Sequence, residues 1–563
     1  MASVLWAMPP MPGSGLTHDG SLRRETAVSN EFLPLRAPSA ERSSKSSSVS
    51  TTGTKKLLVI LAQFPERTRT VKIDNVPVEK TYQKLFFQPS HNVSYYENLL
   101  GDYTASSPAS LTMAEYYKKM SREKLGLQFQ ILGPYTAQYD YAYYGVNDIY
   151  GNDTYPYKLV WEMLEEARKS GLVVENIDNC TVIVVHAGPG EENGGVTTDY
   201  IWSHRSTLSK NGISTVTINS KVFDDYILAP EYVISGSRNE ASIGVFCHEF
   251  GHVLGLSDSY DTAGATAGLG QWSLMAGGSW GSVGKNSSGA ITGADPAPMM
   301  AWERVKLGWL EEEKITPAAG KSASYSFGDI NDAQKVYRID LSGDQYLTLE
   351  GKKANSNGTD MYVMEDGLLI TQLHQTVLDM YGGSVNKINY GSYRVHGAMV
   401  IEAKAENYKK SGLGNLWRGS SNAYRFTTQA LFRSDTLTTV GPSGETETAS
   451  IPFLPLFFST IIGSGVAITL MLLWYYGRKK LCVAVAFAVC TACLSMSCVI
   501  ETGGGGTYDK GPNTNYYTNI NNVHSKTGNS DITIFNIQYK SDGSGSFSVK
   551  RGSSGSSSKN DDE

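Results

Sequence analysis

The sequence predicts an α/β (α+β) domain, followed by a mostly β domain and then a C-terminal membrane-spanning hairpin. Three observations lead there. Apolar runs of strand length alternate with amphipathic helical segments between residues 56 and 310, short alternating segments take over after Ser322, and two long apolar stretches fall between residues 451 and 500. At 563 residues the chain is too long for one core. The expected divisions are a disordered arm or pro-segment (1–54), the α/β domain (55–318), the mostly β domain (319–450), two transmembrane helices (451–500) and a low-complexity tail (501–563).

Residues 1–54 are rich in Pro and Ser and poorly periodic, so they read as an arm. Met1 to Met8 is apolar but short, lacks a basic lead and meets Pro9 and Pro10; no N-terminal signal peptide is recognised there. Leu57-Leu58-Val59-Ile60-Leu61 is uniformly apolar, as a strand buried on both faces should be. Leu111 to Met120 reads as a helix and Leu125 to Leu132 as a strand. Leu159, Val160, Met163, Leu164 and Ala167 recur at helical spacing until Gly171 supplies a stop. Thr181-Val182-Ile183-Val184-Val185 is a second fully apolar strand, running into a Gly-rich turn from Gly188 to Gly195. A helix from Glu240 to Leu254 comes next, capped by Asn239, with Ile243, Phe246, Phe250 and Val253 as its core-facing stripe. Met299 to Leu307 is a short helix after Pro296-Ala297-Pro298. Val336-Tyr337-Arg338-Ile339 and Gln345-Tyr346-Leu347-Thr348-Leu349 open the β domain.

The two late apolar stretches, Ile451 to Tyr476 and Leu481 to Ile500, flank Gly477-Arg478-Lys479-Lys480. A basic turn stays on the cytoplasmic side, so the rest of the chain is expected outside the cytoplasm, membrane-anchored or secreted. Met471 to Cys498 also fits a lipoprotein-type signal, and that alternative stays open. The net charge of −6 and the lack of a long basic run set nucleic acid aside as a partner. Four of the six cysteines lie at 482–498, leaving Cys180 and Cys247, which is no disulfide framework. Cys247 precedes a histidine, but on a helix it points about 100° away from it, so a packing role is expected.

The chemistry concentrates in His248-Glu249-Phe250-Gly251-His252. Histidines four apart on a helix share a face and can aim ring nitrogens at one ion. Glu249 sits too far round to join them, yet it can reach a water activated by that ion and take its proton. Two histidines leave a tetrahedral site short of a protein ligand. Gly255 tolerates the positive φ that ends a helix, letting the chain reverse so that Asp258 supplies the third donor. Asp261 competes for that place. The bare His-Glu-x-x-His pattern arises by chance in roughly one chain in a hundred of this length, and the added Gly and Asp cut this by about two orders of magnitude.

The segment HEFGHVLGLSDSYD, followed by GQWSLMAGGSWG, resembles the immune inhibitor A family of metallopeptidases, in the metzincin-like group of zinc proteases. The resemblance extends from about Lys56 to Leu310 and takes in KLLVILAQF, MAEYYKKMSREKLGL, VIVVHAGPGEENGG, DYIWSHRSTL and PMMAWERVKLGWL. It implies a metzincin-like zinc protease domain, with zinc held by His248, His252 and Asp258, Glu249 as general base, and Met275 as the apolar Met-turn floor beneath the metal. Where many members carry an acidic calcium loop, this chain has Val174 to Asn179, with too few carboxylates. Calcium elsewhere, through Asp199, Glu191 or Glu192, stays open. His186 and His204 lie near element ends and read as structural, with substrate binding as the alternative. No oxyanion donor can be named, and substrate-binding residues are unknown. The β region, with His374 and His396, is similar to the region after the catalytic domain in that family, and the similarity thins after Asn422.

The function expected is hydrolysis of peptide bonds by a zinc endopeptidase acting on protein or peptide substrates. A silent adhesion scaffold and a narrow processing peptidase are the competitors. The intact His248, Glu249, His252 and Asp258 speak against the first of these, because a binding module needs none of them.

Overall fold

The computed structural model describes residues 6–9, 50–73, 76–101, 111–148, 151–171, 180–193, 199–235, 238–262, 268–282, 291–332, 335–341, 344–354, 361–363, 367–390, 396–401, 437–438, 532–540 and 542–551. The chain divides into one unit of residues 1–441 with 512–563 and a second of residues 442–511. The second unit, and with it both stretches expected to span a membrane, lies outside the described residues. Among the described residues no helix is long and apolar enough to cross a membrane.

A seven-stranded sheet organises the first part. Its order is Trp6–Ala7, His204–Thr207, Asp225–Ser235, Val182–Pro189, Gly53–Gln63 and Leu125–Thr136, with Arg238–Glu240 folded back on Asp225–Ser235. The last four strands of that order run parallel; His204–Thr207 is antiparallel to them, and Trp6–Ala7 pairs antiparallel with His204–Thr207. Strand alternation explains the unbroken apolar runs. Leu57, Val59, Leu61, Ile183 and Val185 enter one core with Tyr116, Tyr117, Phe246 and Phe250. Leu58, Ile60, Val182 and Val184 enter another with Leu159, Val160, Met163 and Leu164. Helices therefore cover both faces: Val93–Leu100, Met113–Met120 and Ile243–Val253 on one, Pro156–Lys169 on the other. Met113–Met120 ends where expected but starts after Leu111, because Thr112 is the N-cap and forms a reciprocal capping box with Glu115.

Two expectations are corrected here. Asn239 does not cap the site helix: Arg238–Glu240 is still paired as strand, and the helix starts later, with Ser242 at its N-cap. Residues 6–9, expected within a disordered arm, instead add a strand to the sheet edge, bury Met8 and give the Trp202 and Trp280 indoles carbonyl acceptors at Met8 and Pro9.

The β domain is a sandwich. A five-stranded sheet (Glu312–Lys314, Val336–Asp340, Gln345–Lys352, Gly367–His374, Ala398–Ile401) faces a four-stranded one (Ser322–Phe327, Gly545–Arg551, Ile532–Tyr539, Leu437–Thr438). Two strands of the second sheet come from the stretch expected to be a low-complexity tail, which corrects that boundary. Ile532 and Ile534, then Ile537 after a register shift in the same strand, with Phe547 and Val549 of the next, point inward and fill a core with Phe327, Tyr337, Leu347 and Ile370. Asp542 and Gly543, the latter at φ +90°, form the turn between them. The outer face of the five-stranded sheet packs Tyr346, Leu369, Leu373 and Val400 against Tyr260, Trp272, Met300 and Trp302. The β domain thus meets the α/β domain beneath the segment C-terminal to the site helix.

Candidate metal centre

The site helix Ile243–Val253 is buried along its whole length, so more than the expected stripe faces protein. Close approach on both sides requires small residues. A Cβ at Gly244 would lie 1.9 Å from the Ser279 carbonyl oxygen, and one at Gly251 would lie 2.5 Å from the Met275 sulfur. Met275 is fully buried and packs directly against the site helix at Gly251. Tyr117 braces the same turn, stacking edge-on against Phe250 and donating its hydroxyl to the Cys247 carbonyl at 2.5 Å. Cys247 is buried in the core, and burial pushes its thiol well up.

His248 and His252 stand with ring centroids 4.8 Å apart and planes at 89°. His248 Nδ1 lies 2.9 Å from the Leu274 carbonyl and His252 Nδ1 2.9 Å from the Leu256 carbonyl. A carbonyl only accepts, so each Nδ1 carries a proton, and in the neutral ring each Nε2 is left with a lone pair to offer a cation. Gly255 at φ +94° turns the chain, and Asp258 comes back to place Oδ1 3.1 Å from His248 Nε2 and 3.2 Å from His252 Nε2. One ligand atom from each of the three residues lies within 4.8 Å of the other two, the one such group of His, Cys, Asp and Glu among the described residues. Two imidazole lone pairs and a carboxylate oxygen converging in a dry space repel one another unless a cation lies between them. That donor set fits zinc with three protein ligands and an open fourth position.

Burial alone would raise the Asp258 pKa, but His252 and His248 outweigh it and hold the carboxyl below the usual carboxylate range. Burial pulls His252 down, with Asp258 opposing. Glu249 is fully buried beside this group, and burial, then the charges of Asp258 and Glu192, push its pKa well up against a weaker pull from Arg205. Asp261 is buried but is not part of the ligand group.

The remaining expected residues are dispersed. His186 and His204 are buried, burial lowers each to about 4, and their Nδ1 atoms bond the Ala187 and Trp202 carbonyls. The open calcium ligands have separate tasks: Asp199 pairs with Lys80 at 2.9 Å, Glu191 accepts from Asn147, and Glu192 accepts from the amide and hydroxyl of Ser203. Val174 to Asn179 lies outside the described residues. His374 pairs with Asp344, and His396 is buried.

Three residues at the site escape sequence reasoning. Asn386, from the β domain, bonds both the amide and the carboxylate of Asp258. Glu303 accepts from Ser259 Oγ at 3.1 Å, Ser273 Oγ at 2.9 Å and the Met300 amide at 2.9 Å, tying the ligand segment to the Met275 turn. Tyr260 has its phenol raised well above the ordinary value by burial and then by Asp258 and Glu249, which places it beside both. The capping position of Glu303 is readable in principle, two residues into a helix after Pro298. Nothing local marks the other two.

Comparison with known proteins is consistent with this geometry. Residues 43–179 and 174–310 match the family described as immune inhibitor A peptidase M6, catalytic domain. The pre-pro-metalloprotease PrtV of Vibrio cholerae serotype O1 (strain M66-2) is 28% identical over 302 residues, which is 47% of this chain and 31% of the relative. Immune inhibitor A of Bacillus thuringiensis subsp. alesti is 28% identical over 274 residues, 43% of this chain and 38% of the relative. The chain therefore spans about a third of the length of these curated relatives.

Proposed function

We propose, on the match of residues 43–310 to the immune inhibitor A peptidase M6 catalytic domain, that the chain is a zinc-dependent endopeptidase cutting proteins or peptides outside the cytoplasm. His248, His252 and Asp258 would hold the metal and Glu249 would act as general base, with Met275 as the apolar floor. The observation that carries this is the convergence of three donors within 4.8 Å next to a fully buried Glu249.

Bound there, zinc would polarise the scissile carbonyl and make water a competent nucleophile near neutral pH. The chain's own residues do the rest. Carbonyl bonds at both Nδ1 atoms fix the histidine tautomers and ring directions, so no reorganisation is needed when the ligands engage. Glu249 takes the proton of the attacking water on its carboxylate, and its burial favours holding that proton until the leaving amine nitrogen accepts it. Glu249 is fully buried, which keeps bulk water from the carboxylate. The membrane hairpin at 451–500 would tether this activity to a surface.

The test is to purify the whole chain, measure bound zinc, and assay casein cleavage for wild type, Glu249→Ala, Asp258→Asn and Asp261→Asn. Zinc retained with turnover lost in Glu249→Ala supports the base assignment. Zinc lost in Asp258→Asn but kept in Asp261→Asn supports the ligand choice. A wild-type protein that binds zinc and cleaves nothing would instead be an adhesion scaffold.

A further inference from the structure

The carboxylate of Asp258 is held from outside the α/β domain. Asn386 comes directly after the helical turn Gly383–Val385 and is 128 residues further along the chain, yet its Oδ1 accepts the Asp258 amide at 2.7 Å and its Nδ2 donates to Asp258 Oδ2. The second of these contacts is close. The amide orientation is fixed by chemistry, because an N–H needs an acceptor and a carboxylate needs a donor. Asn386 engages Oδ2, and the other oxygen, Oδ1, is the one that faces both histidine Nε2 atoms.

Three features show that this contact is built in. Asn386 is 1% exposed, so its two hydrogen bonds form in a dry environment. Its backbone is left-handed, φ 49° and ψ 44°, a conformation Asn tolerates better than most residues. The neighbours grip the same segment: the Gly383 amide donates to Ser257 Oγ at 3.1 Å, and Asn389 Nδ2 donates to the Ser259 carbonyl at 2.7 Å, with Asn389 Oδ1 taking the Ala398 amide at 3.0 Å. Ser257, Asp258 and Ser259 are thus each held by one loop of the β domain.

We propose that Asn386 is a positioning residue for the metal site: it selects which Asp258 oxygen the ion receives, and through it the β domain takes part in metal binding. The inference rests on the zinc-peptidase reading and deepens it. Partners that orient a metal ligand typically change affinity 10–100-fold when removed. Asn389 grips the same loop without touching a ligand, and serves as the comparison.

The experiment measures zinc affinity of the full chain by competition with a chelating indicator for wild type, Asn386→Gly, Asn386→Asp and Asn389→Ala. The glycine keeps the left-handed backbone and deletes only the amide; the aspartate keeps one acceptor but sets a second carboxylate against Asp258. The expected result is a loss of about 10–100-fold for Asn386→Gly and more for Asn386→Asp, with the metal-free Asn386→Gly protein melting no lower than metal-free Asn389→Ala. Asn389→Ala should lower melting while leaving zinc affinity within a few-fold. Zinc affinity unchanged in Asn386→Gly overturns the assignment, as does equal weakening by Asn389→Ala, which would make the loop a general brace. A wild-type chain that takes up no zinc overturns the peptidase reading and this inference together, a result distinct from either.

Discussion

Glu303 is the buried carboxyl that joins the Asp258 segment, the Met275 turn and the helix Ala301–Lys306, and replacing it by Gln tests how much of that junction depends on charge. Burial is the main cause that moves its pKa from 4.5 to about 7, against the pull of hydrogen bonds from Met300, Ser273 and Ser259. An acid whose folded pKa lies above its unfolded value binds protons more tightly in the native state. Its contribution to stability is therefore complete below about pH 4.5 and disappears as the pH rises through about 7. That interval corresponds to roughly 3 kcal/mol, most of it lost between about pH 5 and pH 8. Glu303→Gln preserves shape and one acceptor oxygen but cannot titrate. Urea unfolding of the metal-free chain, followed by the fluorescence of buried Trp272 and Trp309, should show the variant gaining roughly 2–3 kcal/mol on the wild type between those pH values. Metal-free protein is required because zinc binding has a pH dependence of its own. Parallel stability curves for the two proteins would refute the reasoning and mean that Glu303 is ionised throughout.

Gly251→Ala should cost about 1–3 kcal/mol, because its Cβ would lie 2.5 Å from the Met275 sulfur; thermal melting checks the loss, and combination with Met275→Ala should cost less than the sum of the single changes. Deleting residues 1–10 uncovers the edge of His204–Thr207 beside Glu249 and removes the carbonyl acceptors at Met8 and Pro9, so on the peptidase reading cleavage of a fluorogenic extended peptide should speed up; an unchanged rate would mean that this edge does not bind substrate. Ile534→Asp buries a charge in the sandwich core and should expose the β domain to limited proteolysis, whereas a tail with no part in the fold would tolerate the change.

The legible parts of the fold are those that short-range patterns dictate. Leu57 to Leu61 and Val182 to Val185 are apolar without alternation, which only a strand covered on both faces requires, and helices do cover both faces. Gly171 and Gly255 stop their helices because the chain there needs positive φ, +71° and +94°. Asn239 misleads because its cap chemistry says nothing of the strand Arg238–Glu240, which continues past it. The tail misleads for a compositional reason: Ile532, Ile534 and Phe547 alternate correctly, but Gly and Ser around them dilute the signal, and the strands that they complete lie some 200 residues earlier, as the pairing of Ser324 with Ser548 shows.

The site divides in the same way. His248, Glu249 and His252 are fixed by helical spacing alone, and Asp258 by a single glycine turn, so each is recoverable from a window of a dozen residues. The groups that orient them are not local. The Leu274 carbonyl that sets His248 and the Asn386 amide that sets Asp258 become neighbours only when the Met275 turn and the outer face of the five-stranded sheet close on the site helix. A motif therefore specifies the candidate ligands, while the long-range fold specifies their directions. Ending the chain at residue 310 would keep every motif residue but remove Asn386 and the β-domain packing over Tyr260, Trp272 and Met300, leaving one Asp258 carboxylate oxygen and its amide without their partner. Such a fragment should fold less stably than the whole chain, and on the proposed zinc reading it should also bind metal more weakly than its motif implies.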